Sequence, residues 1–109
     1  MKIVIIEDEL KTAQSLARLI LSLRPGAEIV AGLQSVQAAI TFFQTQPTPT
    51  LAFMDVQLAD GLCFDIFKEV EVRCPVIFCT AYDEYAIEGF RTNGIAYILK
   101  PFDAAQLTA

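Results

Sequence analysis

The chain has 109 residues, 54% of them hydrophobic and 19% charged, with five Gly and five Pro, which fits one packed domain and excludes a disordered or collagen-like chain. Thirteen acids against eight bases give a net charge of −5, so the chain alone should bind neither nucleic acid nor an anionic membrane surface. Histidine is absent, which removes imidazole general bases, His-ligated zinc and any histidine phosphocarrier role.

Lys2-Ile3-Val4-Ile5-Ile6 is a continuous β-branched run that stops at Glu7-Asp8-Glu9, the pattern of a strand buried on both faces. Leu10, Ala13, Leu16, Ala17, Ile20 and Leu23 then recur at helical spacing until Arg24-Pro25-Gly26. Glu28 to Gly32 reads as a second strand, and Ser35 can cap a helix through Val36, Ala39, Ile40 and Phe43 that breaks at Pro47-Thr48-Pro49. The third strand, Leu51-Ala52-Phe53-Met54, is stopped by Asp55, followed by a polar loop to Gly61 and a short helix with Phe64, Phe67 and Val70 on one face. Val76-Ile77-Phe78-Cys79, ended by Thr80, is the fourth strand, and Asp83 to Asn93 the fourth helix. Ile95-Ala96-Tyr97-Ile98-Leu99, ended by Lys100-Pro101, is the fifth strand, and Asp103 with Gln106 forms a capping box opening a fifth helix of about two turns. From so short a last helix, the chain is expected to be a piece of something longer.

Strict alternation of short buried strands with helices predicts an α/β fold, a doubly wound five-stranded parallel sheet, as one domain over residues 1–109, and a strand order of 2-1-3-4-5 would bring the ends of its strands to one pocket. The apolar runs are too short to cross a bilayer, and no secretory signal precedes the first strand. Cys63, Cys74 and Cys79 are odd in number and lie in or beside apolar segments without metal-type spacing, as expected of reduced core thiols in the cytoplasm.

In an open parallel sheet, ligands bind at the carboxyl ends of the strands. Those ends carry Glu7 and Asp8, Asp55, Thr80 and Lys100. Each residue alone has a bland reading, a helix cap, a turn hydroxyl or a solvated charge, and their convergence on one sheet edge is what makes them a site. Three carboxylates in one pocket repel one another unless a hard cation neutralises them, and Mg²⁺ is the natural candidate because it takes oxygen ligands. A carboxylate can also attack phosphorus to form an acyl phosphate, with Lys100 and Thr80 supplying donors for the phosphoryl oxygens. The rival readings are a Mg²⁺-dependent hydrolase or nuclease on an acidic cluster, which would want an acid where Gln57 stands, and a protein-binding module that keeps the fold without phosphorylation.

The strings Ile5-Ile6-Glu7-Asp8-Glu9, Met54-Asp55-Val56-Gln57-Leu58-Ala59-Asp60-Gly61, Cys79-Thr80-Ala81-Tyr82-Asp83-Glu84-Tyr85-Ala86 and Leu99-Lys100-Pro101-Phe102-Asp103 resemble the signature segments of CheY-like response-regulator receiver domains, particularly those of LytTR-type transcriptional regulators. The resemblance implies a flavodoxin-like (βα)5 fold and a two-component signalling switch, not a turnover enzyme, in which Asp55 accepts a phosphoryl group from a sensor histidine kinase and later loses it by slow self-catalysed hydrolysis. It implies Asp8 as a direct Mg²⁺ ligand, Glu7 as a ligand through water, and Asp55 and the backbone carbonyl of Gln57 as completing the metal site. Lys100 would contact the phosphoryl group, Thr80 and Tyr97 would form the switch pair, and the side chains of Gln57 and Tyr82 would set how quickly the acyl phosphate hydrolyses. It further implies a cis Lys100-Pro101 bond, a DNA-binding output domain beyond this chain, and a homodimer through the face of the fourth helix, fifth strand and fifth helix, the last of which is short here. Ala59 departs from the pattern, since many family members carry Pro there, and leaves the loop after Asp55 less constrained.

Overall fold

The computed structural model describes residues 1–80 and 94–99. The elements are β1 (Lys2–Ile6), α1 (Leu10–Leu23), β2 (Glu28–Leu33), α2 (Val36–Thr45), β3 (Leu51–Met54), α3 (Phe64–Glu69), β4 (Val76–Thr80) and β5 (Gly94–Leu99). The strands form one sheet in the order β2-β1-β3-β4-β5, all neighbours parallel. The expected strand order and α/β class are therefore observed. The fourth and fifth helices, and the Lys100-Pro101 bond, lie outside the described residues.

The period of two along each strand splits the core between the faces. Val4 and Ile6 of β1, Ala52 and Met54 of β3, and Val76 and Phe78 of β4 pack with Val36, Ala39 and Ile40 of α2 and Phe64 and Ile66 of α3. Ile3, Ile5, Phe53 and Cys79 face the other way, onto Leu16 and Ile20 of α1. Leu10, at the first turn of α1, continues the helical spacing but is 59% exposed, so the apolar stripe of that helix begins one turn later.

Two features escaped the pattern. A two-residue antiparallel ribbon pairs Gln57–Leu58 with Gly61–Leu62 inside the expected polar loop. The chain reverses at Ala59–Asp60, and Gly61, which starts the returning strand, has φ 151°, while among the described residues no non-glycine has a positive φ. In α3 the fully buried residue is Ile66, while Phe67 and Val70 are only partly covered. The helix is short and wedged between the ribbon and β4, so its buried face includes a residue that the i, i+3 spacing from Phe64 omits.

Candidate functional site

The backbones bearing two of the acids are locked into the end of the sheet. The amide of Glu7 donates to the Leu33 carbonyl at 2.8 Å, and that of Asp55 donates to the Ile6 carbonyl at 2.9 Å. Since β1 and β3 are adjacent and in register, with Ile6 opposite Met54, their next residues emerge side by side at the carboxyl edge. Carboxylate oxygens of Glu7, Asp8 and Asp55 all lie within 4.8 Å of one another. Glu7 and Asp55 are buried, at 4% and 8% exposure, while Asp8 faces solvent. Two charges that are both largely removed from water and close together call for a counter-charge.

The donor set suits a hard divalent cation. Octahedral oxygens at about 2.1 Å from Mg²⁺ stand about 3 Å apart when adjacent and about 4.2 Å apart when opposite, so the three carboxylates need to draw in only slightly. Gln57, two residues beyond Asp55, opens the ribbon, and its amide donates to Asp55 Oδ1 at 3.4 Å. Glu7 Oε2 accepts from the amide of Glu9 at 3.2 Å, and Glu9 in turn accepts from the Thr12 hydroxyl at the start of α1.

Of the remaining sequence-predicted residues, Thr80 ends β4 opposite Leu99, and Tyr97 lies on β5 opposite Phe78, two positions back along β4 from Thr80. Tyr82 and Lys100 fall outside the described residues. An apolar hollow of about 200 Å³ lined by Ile3, Ile20, Leu23, Leu51 and Phe53 lies at the opposite, amino-terminal end of the sheet and offers no comparable chemistry.

One residue beside the site escaped the sequence reading. Asp60, at the tip of the ribbon, accepts from the amides of Val36 at 2.6 Å and Gln37 at 3.1 Å, the first two of α2. Ser35, the expected cap, takes the next amide, Ala38, at 3.0 Å. The backbone donors of Val36 and then Gln37 hold the Asp60 carboxyl below the usual carboxylate range. No local signal could have found this contact, because the partners are 24 and 23 residues apart.

Comparison with known proteins agrees with this geometry. Residues 3–109 match the response regulator receiver domain family. The chain is 35% identical over 111 residues to sensory transduction protein LytT of Enterococcus faecalis, covering 99% of this chain and 45% of that protein. It is 31% identical over 110 residues to LytT of Bacillus cereus, covering 98% and 44%. The chain thus spans under half the length of these curated relatives. Among solved structures, the response regulatory domain of protein mrkE from Klebsiella pneumoniae superposes with a TM-score of 0.82 at 29% identity, covering 98% of this chain and 88% of that one. With an acid cluster at the carboxyl edge of a β2-β1-β3-β4-β5 sheet and a family match over nearly its whole length, the chain belongs to the receiver domains of two-component response regulators, and its relatives are of the LytT type.

Proposed function

We propose that this receiver domain is a Mg²⁺-dependent switch in which Asp55 is the phosphoryl acceptor and a sensor histidine kinase the donor. The observation that carries this reading is the meeting of Glu7, Asp8 and Asp55, with Asp55 buried at the end of a central strand. Asp8 and Asp55 would hold Mg²⁺ directly, Glu7 through water and Gln57 through its carbonyl, and the ion would neutralise charge on the phosphoryl oxygens. An Asp55 carboxylate oxygen attacks phosphorus, an O–P bond forms, the P–N bond to the donor imidazole breaks, and its electron pair stays on that nitrogen. Lys100 and the Thr80 hydroxyl take phosphoryl oxygens, and the movement of Thr80 is coupled to an inward turn of Tyr97, altering the face of β5 and the segment between β4 and β5. Gln57 and Tyr82 govern hydrolysis of the acyl phosphate.

The proposal extends to a cytoplasmic regulator with a DNA-binding output domain beyond residues 1–109 and a homodimer through the face of the fourth helix, fifth strand and fifth helix; that the chain spans under half the length of its LytT relatives supports a further domain. Incubation with acetyl phosphate tests the core of it. One phosphoryl group per chain, acquired with Mg²⁺ and not with EDTA, and mapped to Asp55 by mass spectrometry, is the expected result. Labelling elsewhere, or multiple turnover of simple phosphate esters, would replace this reading with that of a hydrolase. For the switch, Thr80→Ala should retain labelling while the NMR response beyond β4 is lost, and an unchanged response sinks the coupling.

A further inference from the structure

We propose that Asp60 is a positioning residue for the metal site, clasping the amino end of α2 so that the loop from Asp55 to Leu62 presents its ligands in place. This rests on the assignment of Asp55 and the Gln57 carbonyl to Mg²⁺ made above.

The loop has little in its own sequence to hold it. It carries Ala59 rather than a ring-constrained residue at its exposed tip, and the residue just past the turn, Gly61, is the type with the widest backbone freedom. Anchors inside the loop act at its ends. The Cys63 amide donates to the Val56 carbonyl at 2.7 Å, and Val56 and Leu58 are buried in the core on the α2 side. Between them the tip is fixed from outside, by the two Asp60 oxygens on two successive amides, Oδ1 on Val36 and Oδ2 on Gln37. Beside it, a Cβ on Gly61 would stand at ordinary van der Waals distance from Val36 Cγ2 of α2, 3.8 Å, and at 3.1 Å from Asp65 Oδ2 of α3.

The first turn of α2 has a separate cap in Ser35, so Asp60 is not needed merely to begin that helix. What Asp60 adds is a link between α2 and the loop that carries Gln57. A carbonyl ligand on an untethered loop must be ordered when the cation binds, and that ordering lowers affinity. A tether made before binding removes the cost.

The experiment titrates Mg²⁺ into the 109-residue chain without phosphodonor, following NMR shifts at Gln57 and its neighbours, and repeats the titration as acetyl phosphate labelling. Asp60→Ala should raise the Mg²⁺ concentration at half-saturation about tenfold, the low end for partners that orient metal ligands, while labelling at saturating Mg²⁺ returns to the parental rate. Asp60→Asn, whose carboxamide oxygen still accepts from Val36, should recover most of the affinity. Ser35→Ala removes the other cap and should leave half-saturation unchanged. Amide exchange over residues 56–62 should quicken in Asp60→Ala and not in Ser35→Ala. Unchanged half-saturation in folded Asp60→Ala, or an equal shift in Ser35→Ala, overturns the proposal. A parent that binds Mg²⁺ and accepts no phosphoryl group defeats the acceptor reading alone, and the Mg²⁺ titration still judges the tether. A parent with no Mg²⁺ shifts overturns both.

Discussion

Replacing Asp55 with Asn keeps the shape of the side chain and removes one of three mutually repelling charges. Like charges 4.8 Å apart, the outer limit of the cluster, repel by about 3.5 kcal/mol at an effective dielectric of about 20 and by about 0.9 kcal/mol in bulk water. Asp8 is exposed and Asp55 has further partners in the fold, so the lower figure is the better guide, and a net gain of about 1 kcal/mol is expected in the absence of metal. For a chain of 109 residues, with an unfolding entropy of about 2.1 cal/mol/K per residue, that is a rise of about 4 °C in Tm. Mg²⁺ acts in the opposite sense on the comparison, since at ten times its Kd it stabilises the parent by about 1.4 kcal/mol and the variant, lacking one carboxylate ligand, by less. Calorimetric melts at low ionic strength should therefore show Asp55→Asn above the parent in EDTA, with the gap closed or reversed in MgCl₂. Phosphoryl labelling should be abolished in both conditions. A variant that melts at or below the parent in EDTA, or that gains as much from Mg²⁺ as the parent does, refutes the electrostatic account.

Phe78 is fully buried, with its ring centroid 5.7 Å from that of Phe64 and 6.4 Å from that of Phe67, so Phe78→Ala should cost about 3–5 kcal/mol in urea unfolding, and a loss below about 1 kcal/mol would contradict this packing. Asp60 has a lowered carboxyl pKa, so the stability it adds is complete above the usual carboxylate value and is lost as pH falls through its folded value. The amide shifts of Val36 and Gln37 should titrate with a midpoint below the usual Asp range, and a midpoint at or above that range counts against the hydrogen bonds. Burial pushes the Cys74 thiol up, so its contribution to stability is present below the ordinary thiol range and declines as pH rises through it, where the unfolded chain ionises first. The urea midpoint of the parent should fall more steeply at alkaline pH than that of Cys74→Ala, and parallel curves would refute this.

The strands β1 and β3 were legible because burial on both faces leaves an unbroken apolar run. Lys2–Ile6 and Leu51–Met54 have the boundaries that their sequences imply, and β2 and β5 each extend the expected strand by one residue, to Leu33 and from Gly94. The acids at their ends were legible for a related reason, since a carboxylate that abruptly stops such a run must sit at the sheet edge. What could not be read was pairing over short or distant stretches. The Gln57–Leu58 ribbon has two residues a side, too few for a period to show, and it depends on the backbone freedom of Gly61. The Asp60 contact joins the loop after β3 to the first turn of α2, and the two become neighbours only after β1 and β3 pair. Ile66 is buried through the way α3 is wedged, which helical spacing does not encode.

The amides of Glu7 and Asp55 are themselves rungs of the β-ladder, bonded to Leu33 and Ile6. The acid cluster is therefore an extension of the hydrogen-bonded sheet, and β1 and β3 cannot separate without pulling it apart. Binding competence and global structure should be lost in a single transition. Along a denaturant titration, the fraction of molecules able to take up Mg²⁺ should superimpose on the fraction with native circular dichroism, leaving no population that is folded but unable to bind.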